Sequence, residues 1–163
     1  MIAVEALLAD ELITSALTSA GWDASYQFNA DQWLTDLAAE GFSVNALGEQ
    51  MLHQFGNLRV DAIRTDSAVF GSGQFNLDPL LACTGESARI VGRESLLGTS
   101  LCPIGEWDDV YILLAGGDGC VYAEATFQVL RIGNSAADAL RRLIVSDTPA
   151  TELYRRPRSA PTG

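Results

Sequence analysis

Between residues 101 and 133 the chain reads as extended segments joined by connections too short for anything but hairpins. Residues 101–104 lead into 111–115, and 120–126 and 128–132 follow. Gly116, Gly117, Asp118 and Gly119 form a turn cluster between two of these segments, and a single residue separates the last two. Parallel neighbours need a crossover of about a dozen residues or more, so the segments from 111 onward must pair antiparallel and in sequence. A meander of this kind has to bury its apolar side against another layer, and the rest of the chain has to supply that layer.

The residues before and after the meander read mostly as helix. Over residues 2–20, Val4, Leu8, Leu12 and Ala16 recur every four positions, Ile13 and Leu17 widen the stripe, and Gly21 stops it. Trp22 follows and is expected to pack back on the core. Asn29 as N-cap with Gln32 three residues on makes a capping box, with Phe28 and Trp33 as its hydrophobic staple. Leu34, Leu37 and Ala38 supply that helix's buried stripe up to Gly41. Asn45 caps a third helix, Val44, Leu47, Met51 and Phe55 fall on one face, and Gly56 is expected to end it in the left-handed conformation. Residues 58–65 look extended, and Gly71, Ser72 and Gly73 mark a loop.

Asp78-Pro79 opens a short helical piece through Cys83, and a helix over 87–97 closes at Gly98. A last helix over 136–145 has a capping box of Ser135 and Asp138, with Arg141 and Arg142 near its negative end. Beyond residue 146 the chain turns polar, with Pro149, Pro157 and Pro161 and a small arginine cluster. The expected organisation is one α+β domain over residues 1–146, a largely antiparallel sheet flanked by helices, followed by a loosely ordered tail over 147–163. A length of 163 residues fits one domain, and 48% apolar residues suffice for a core.

Charge narrows the function. Twenty-one acids face ten bases, all arginine, for a net charge of −11. Such a chain repels phosphate backbones and favours encounter with a basic protein, so nucleic acid is not an expected partner. Cys83, Cys102 and Cys120 are scattered and odd in number, which suits free thiols in a reducing compartment. The start carries no signal-peptide pattern and no run is apolar enough for a membrane span, so a cytoplasmic location is expected. His53 stands alone, reads as an ordinary surface histidine, and cannot build a multi-histidine metal site. No P-loop, dinucleotide fingerprint or nucleophile elbow is present. No cofactor, metal or catalytic residue is expected.

The densest acidic cluster is Glu106, Trp107, Asp108 and Asp109, in a loop between strands. A solvated loop explains it without function. A tryptophan among the acids also suits an interface, with Trp107 as an exposed anchor. Asp118 from the neighbouring turn and Glu124 are the further residues expected on that surface.

Several segments, in order, resemble the third immunity subgroup of the SUKH superfamily. They are Ala20-Gly21-Trp22, the helix around Trp33, Glu40-Gly41-Phe42, Phe55-Gly56-Asn57-Leu58, Asp78-Pro79, Leu101-Cys102-Pro103-Ile104-Gly105-Glu106, Val121-Tyr122, and Leu130-Arg131-Ile132-Gly133-Asn134-Ser135 with Ala139-Leu140 after it. The chain departs from the pattern where Gly56 is followed by Asn57 rather than a second glycine, and where Phe75 is separated from Asp78-Pro79. The resemblance implies an antidote, bacterial and non-catalytic, that neutralises a toxin by stoichiometric binding. The cognate toxin domain would be its protein partner, basic and of nuclease type. A SUKH-type scaffold or regulatory module binding another protein, and a small hydrolase with an unrecognised site, are the alternatives. Oligomeric state is open at this level.

Overall fold

The computed structural model describes residues 4–63, 73–146 and 148–159. Among the described residues the strands are β1 (Arg59–Asp61), β2 (Gln74–Asn76), β3 (Leu101–Trp107), β4 (Tyr111–Gly116), β5 (Val121–Ala125), β6 (Gln128–Gly133) and β7 (Thr151–Arg155). They form one sheet in sequence order, and every neighbouring pair is antiparallel. The helices are α1 (Val4–Leu8), α2 (Glu11–Ser19), α3 (Asp31–Ala39), α4 (Ala46–Phe55), α5 (Pro79–Cys83), α6 (Ser87–Leu97) and α7 (Ala136–Val145). The fold is therefore α+β, with the antiparallel meander that the short connections demanded.

One row of register partners crosses all seven strands: Arg59, Asn76, Glu106, Ile112, Glu124, Val129 and Tyr154. Residues opposite one another on paired strands share a face, so this is one side of the sheet, and it is largely polar. The adjacent row of Val60, Phe75, Trp107 and Tyr111 faces the other way and is apolar. Val60 and Phe75 are fully buried. Helices α2, α4 and α7 build the main core on that apolar side, around Leu17, Leu52, Phe55, Leu140 and Ile144. There α4 lies so close to β3 that a Cβ on Gly48 would stand 2.5 Å from the Cys102 sulfur, and the Asn45 amide donates to the Ala115 carbonyl at 2.9 Å.

The polar side is covered by α5 and α6, and its centre is the Glu124 carboxylate, which is 0% exposed. Arg89 of α6 donates to one of its oxygens, and Arg93, one helical turn on, donates to the other at 3.1 Å. Arg89 is also paired with Glu86 at 2.9 Å. Arg93 reaches the Thr126 carbonyl at 3.1 Å and stacks 4.5 Å above the Tyr154 ring. Two residues of one helix, four apart and so on one face, thus bind β5 and β7 together.

Several local expectations hold. Asn45 accepts from the Gly48 amide at 2.9 Å, Asp78 caps α5, Ser135 accepts from the Asp138 amide at 3.1 Å, and Gly98 ends α6 with φ +70°. Trp22 is buried against Phe55, with ring centroids 5.7 Å apart. Others are corrected. The single helix expected over 2–20 is two helices, with residues 2 and 3 outside the described residues. Asp10 breaks it by accepting from the amides of Leu12 and Ile13, because a short carboxylate competes for exactly those orphan donors, and Arg141 of α7 holds it there. Leu7 faces the core instead of Leu8, which is exposed along with Leu12.

Asn29 accepts from the Asp31 amide at 3.1 Å and α3 begins at Asp31, one residue later than the capping box required, although Phe28 and Trp33 do meet at 4.5 Å. Gly56 is not left-handed; its φ is −54°, and Asn57 takes the left-handed turn with φ 64°. Glycine is needed at 56 because a Cβ would stand 2.2 Å from the Leu52 carbonyl oxygen. Gly105, just past the extended segment expected over 101–104, lies within β3, where a Cβ would stand 1.9 Å from the Asn76 carbonyl oxygen. His53 is half-buried and bonded through Nδ1 to the Phe28 carbonyl at 3.0 Å, tying α4 to the segment before α3. Strand β1 is shorter than the 58–65 expectation, and its last two positions, like Gly71 and Ser72, lie outside the described residues.

Strand β7 falls in the stretch expected as a loose tail. Its sequence, Thr151-Glu152-Leu153-Tyr154-Arg155, has no apolar alternation to announce a strand. What holds it is tertiary: pairing with β6, the Arg93–Tyr154 contact, and a Gln128–Glu152 hydrogen bond.

Removing both arginines would leave Glu124 buried and uncompensated. Arg89→Ala with Arg93→Ala should lower the unfolding free energy by about 3–5 kcal/mol, and either single change by less. Urea unfolding measures this, and a double variant within about 1 kcal/mol of the parent would show that the carboxylate finds water or other donors.

Candidate functional site

The β3–β4 reversal places three residues between the paired Trp107 and Tyr111: Asp108, Asp109 and Val110. Asp108 (φ 57°) and Asp109 (φ 53°) are both left-handed. Short acidic side chains tolerate this conformation better than most non-glycine residues. The Asp108 amide donates to the Gln74 carbonyl at 2.9 Å, which ties the turn to the end of β2. All three turn residues are exposed, and Val110 is 52% exposed. The β5–β6 turn emerges at the same end of the sheet and exposes Phe127 to 44%, its ring meeting Tyr111 edge-on at 6.2 Å. An acidic loop and two apolar tips therefore share one end of the molecule.

Glu106, the last polar residue of β3, is half-buried on the α6 side. Burial raises its pKa, the neighbouring Asp109 raises it further by hydrogen bond and charge, and Arg59 opposes them. Two convergent carboxyls could in principle exchange a proton with a substrate. The cleft they share with Arg89 measures 140 Å³, against roughly 300–1,000 Å³ for small-molecule sites. The geometry favours a surface contact over an enclosed reaction.

The sequence-expected site is reassembled by the structure. Asp108 and Asp109 are exposed in the turn, but Glu106 and Trp107, expected in the loop, are the last residues of β3, with Glu106 half-buried. Trp107 is 5% exposed and stacked on Tyr111 with centroids 5.1 Å apart, so it is not a protruding anchor. Strand alternation puts its ring on the apolar face, one position from Glu106 on the polar face. Asp118 belongs to the opposite end of the sheet. Leu101 pairs with Gly116 and Trp107 with Tyr111, so β4 separates the two turns by about 17 Å at the usual rise per residue. There Asp118 accepts from the Tyr122 hydroxyl at 2.6 Å and the Cys120 amide at 3.1 Å, pinning its own turn. Glu124 is at the correct end but wholly buried under α6, and offers no surface to a partner.

Sequence reasoning missed Val110, Phe127 and an open cleft on the apolar face. The cleft has a volume of 340 Å³ and is lined by Trp107, Asp108, Tyr111, Gln128 and Leu130, with residues 149–150 as its far wall. A hairpin of known register would have placed Phe127 beside Tyr111, but the wall comes from the β7 segment, which carried no strand signal.

The cysteines are free, and burial pushes the Cys83 thiol up to about 12 and the Cys102 thiol to about 11. Neither is a thiolate at neutral pH. No group of three or more metal-ligating side chains occurs among the described residues, and no helix among them is long and apolar enough to cross a membrane.

Comparison with known proteins gives one match. A family model described as SUKH-3 immunity protein covers residues 9–146. No curated protein and no solved structure matches the chain.

Two measurements test the site's chemistry. A thiol reagent at neutral pH should modify half-buried Cys120 first and reach Cys83 and Cys102 only on unfolding; fast modification of all three in the native protein would contradict their burial. For Glu106 the folded pKa is raised, so the native state keeps the proton longer and stability falls as pH rises through that window. Glu106→Gln should therefore melt higher than the parent at pH 7. The difference should close below the ordinary glutamate pKa, and a difference independent of pH would refute the carboxyl pairing.

Proposed function

The chain belongs to the SUKH-3 immunity protein family, and from that premise we propose that it neutralises a basic, nuclease-type toxin domain by stoichiometric binding at the acidic end of its sheet. The family points to a toxin protein as partner and to binding rather than catalysis. The observation that carries the finer reading is the exposed β3–β4 turn, where Asp108 and Asp109 precede Val110, with Glu106 behind and Phe127 beside it.

Physical chemistry supports the pairing. A nuclease has to present cationic side chains to a phosphate backbone. A chain of net charge −11 meets such a surface with a complementary field, which speeds encounter and orients docking. Exposed acids then act at the rim, while Val110 and Phe127 provide the apolar contact that retains the complex. Free thiols suit the reducing cytoplasm of a bacterial cell, where an antidote to a toxin of its own kind would act.

The test uses a nuclease toxin domain recovered with this protein by pull-down from its native cells, with binding followed kinetically at two salt concentrations and growth rescue on co-expression. Asp108→Asn with Asp109→Asn removes charge while keeping residues that accept the left-handed backbone. This variant should slow association and flatten its salt dependence. Phe127→Ala should speed dissociation by an amount equivalent to about 1–2 kcal/mol. Affinity unchanged within twofold in both variants, with folding intact, would move the docking surface elsewhere. Absence of any complex and of any rescue would overturn the toxin itself as partner.

A further inference from the structure

The cleft on the apolar side of the acidic turn has a composition that suits one kind of side chain. Its floor is the stacked pair Trp107 and Tyr111, and its rim carries the exposed Asp108. At 340 Å³ it has room for a single long side chain rather than a helix or a strand. Gln128 lies at its edge with its carbonyl already accepting from the Tyr111 hydroxyl at 2.5 Å and its amide engaged by Glu152, so both groups are fixed before anything binds. The nearby Arg155 is held by Glu152 at 2.6 Å and does not line the cleft.

The electrostatics favour a cation. Aromatic faces carry negative charge density, and a carboxylate stands beside these two rings. Burial raises the Tyr111 pKa, Arg155 opposes this, and Asp108 and Glu152 raise it further. Between the possible cations, a planar guanidinium lies flat on a ring, pairs with a carboxylate through two donors, and is weakly hydrated. A compact ammonium would have to give up a tighter water shell to an apolar floor.

We propose that this cleft receives an arginine side chain of the bound partner, its guanidinium lying against Trp107 and Tyr111 and paired with the Asp108 carboxylate. Trp107 is then the floor of a hole rather than a knob that fills one. The proposal rests on the protein-binding reading above and names the chemistry of one of its contacts.

The first arm of the test needs no toxin. The intact protein is titrated with N-acetyl-arginine amide, and the Trp107 indole and Tyr111 ring resonances are followed by NMR, with the lysine and citrulline amides as controls. The arginine probe should shift both resonances saturably, lysine should bind more weakly, and neutral citrulline should leave them in place. Asp108→Asn should weaken the arginine probe about tenfold, since it replaces a charge-assisted bond by a neutral one. Tyr111→Leu should weaken it while retaining an apolar floor. Equal shifts with arginine and citrulline, no shift at Trp107, or an Asp108→Asn variant that binds like the parent would each overturn the assignment. Toxin binding measured on the same samples separates the two readings: a complex that forms although the probe fails removes only the arginine contact, and a probe that binds where no complex forms removes only the toxin.

Discussion

Glu124 sits on β5 beneath α6 with no access to solvent, and a carboxylate there is stable only because two guanidiniums from α6 reach it. Arg89 and Arg93 come from one helix face, so the ion pair dictates where α6 lies across the strands. Arg93 extends the constraint by covering Tyr154 and bonding the Thr126 carbonyl. The β5–β6 turn and the last strand are positioned by the same contact. A buried charge network of this kind adds little net stability over an apolar packing but penalises any arrangement that leaves the carboxylate unpaired.

The two faces of the sheet divide the work. The apolar face, with α2, α4 and α7 over it, holds the core that makes the domain fold. At the end where the β3–β4 and β5–β6 turns emerge, that face is not fully covered, and the segment entering β7 closes only one side of the opening. The cleft is thus a by-product of how the sheet's last strand is reached. Its acidic rim comes from a turn whose backbone both aspartates tolerate in the left-handed conformation.

Immunity by binding requires a surface that is distinctive and rigid but needs no reactive group. The rigidity is visible in the acidic turn, anchored to β2 by the Asp108 amide, and in the Tyr111–Gln128–Glu152 chain of hydrogen bonds. Ordering such groups before the partner arrives lowers the entropy lost on association. The deeply buried thiols and the small carboxyl cleft at Glu106 contribute nothing comparable to chemistry.

Much of the fold was legible from residues alone, because the signals are local. Connection lengths force the antiparallel order of β4, β5 and β6, and Asn45, Asp78, Ser135 and Gly98 mark helix ends through hydrogen bonds within a few residues. Net charge and the exposed Asp108–Asp109 turn were likewise readable. The tertiary structure alone decided what depends on distant partners. Asp10 becomes a cap because Arg141 meets it from a helix at the other end of the chain. Strand β7 forms because β6 and Arg93 receive it. Trp107 turns to the apolar face and Glu106 to the face under α6 because adjacent residues on a strand point to opposite faces, and only the register says which residues lie on which. Asp118 and Asp108 stand in successive turns of a meander, yet a hairpin reverses direction at each turn, so neighbours in sequence end up at opposite ends of the sheet.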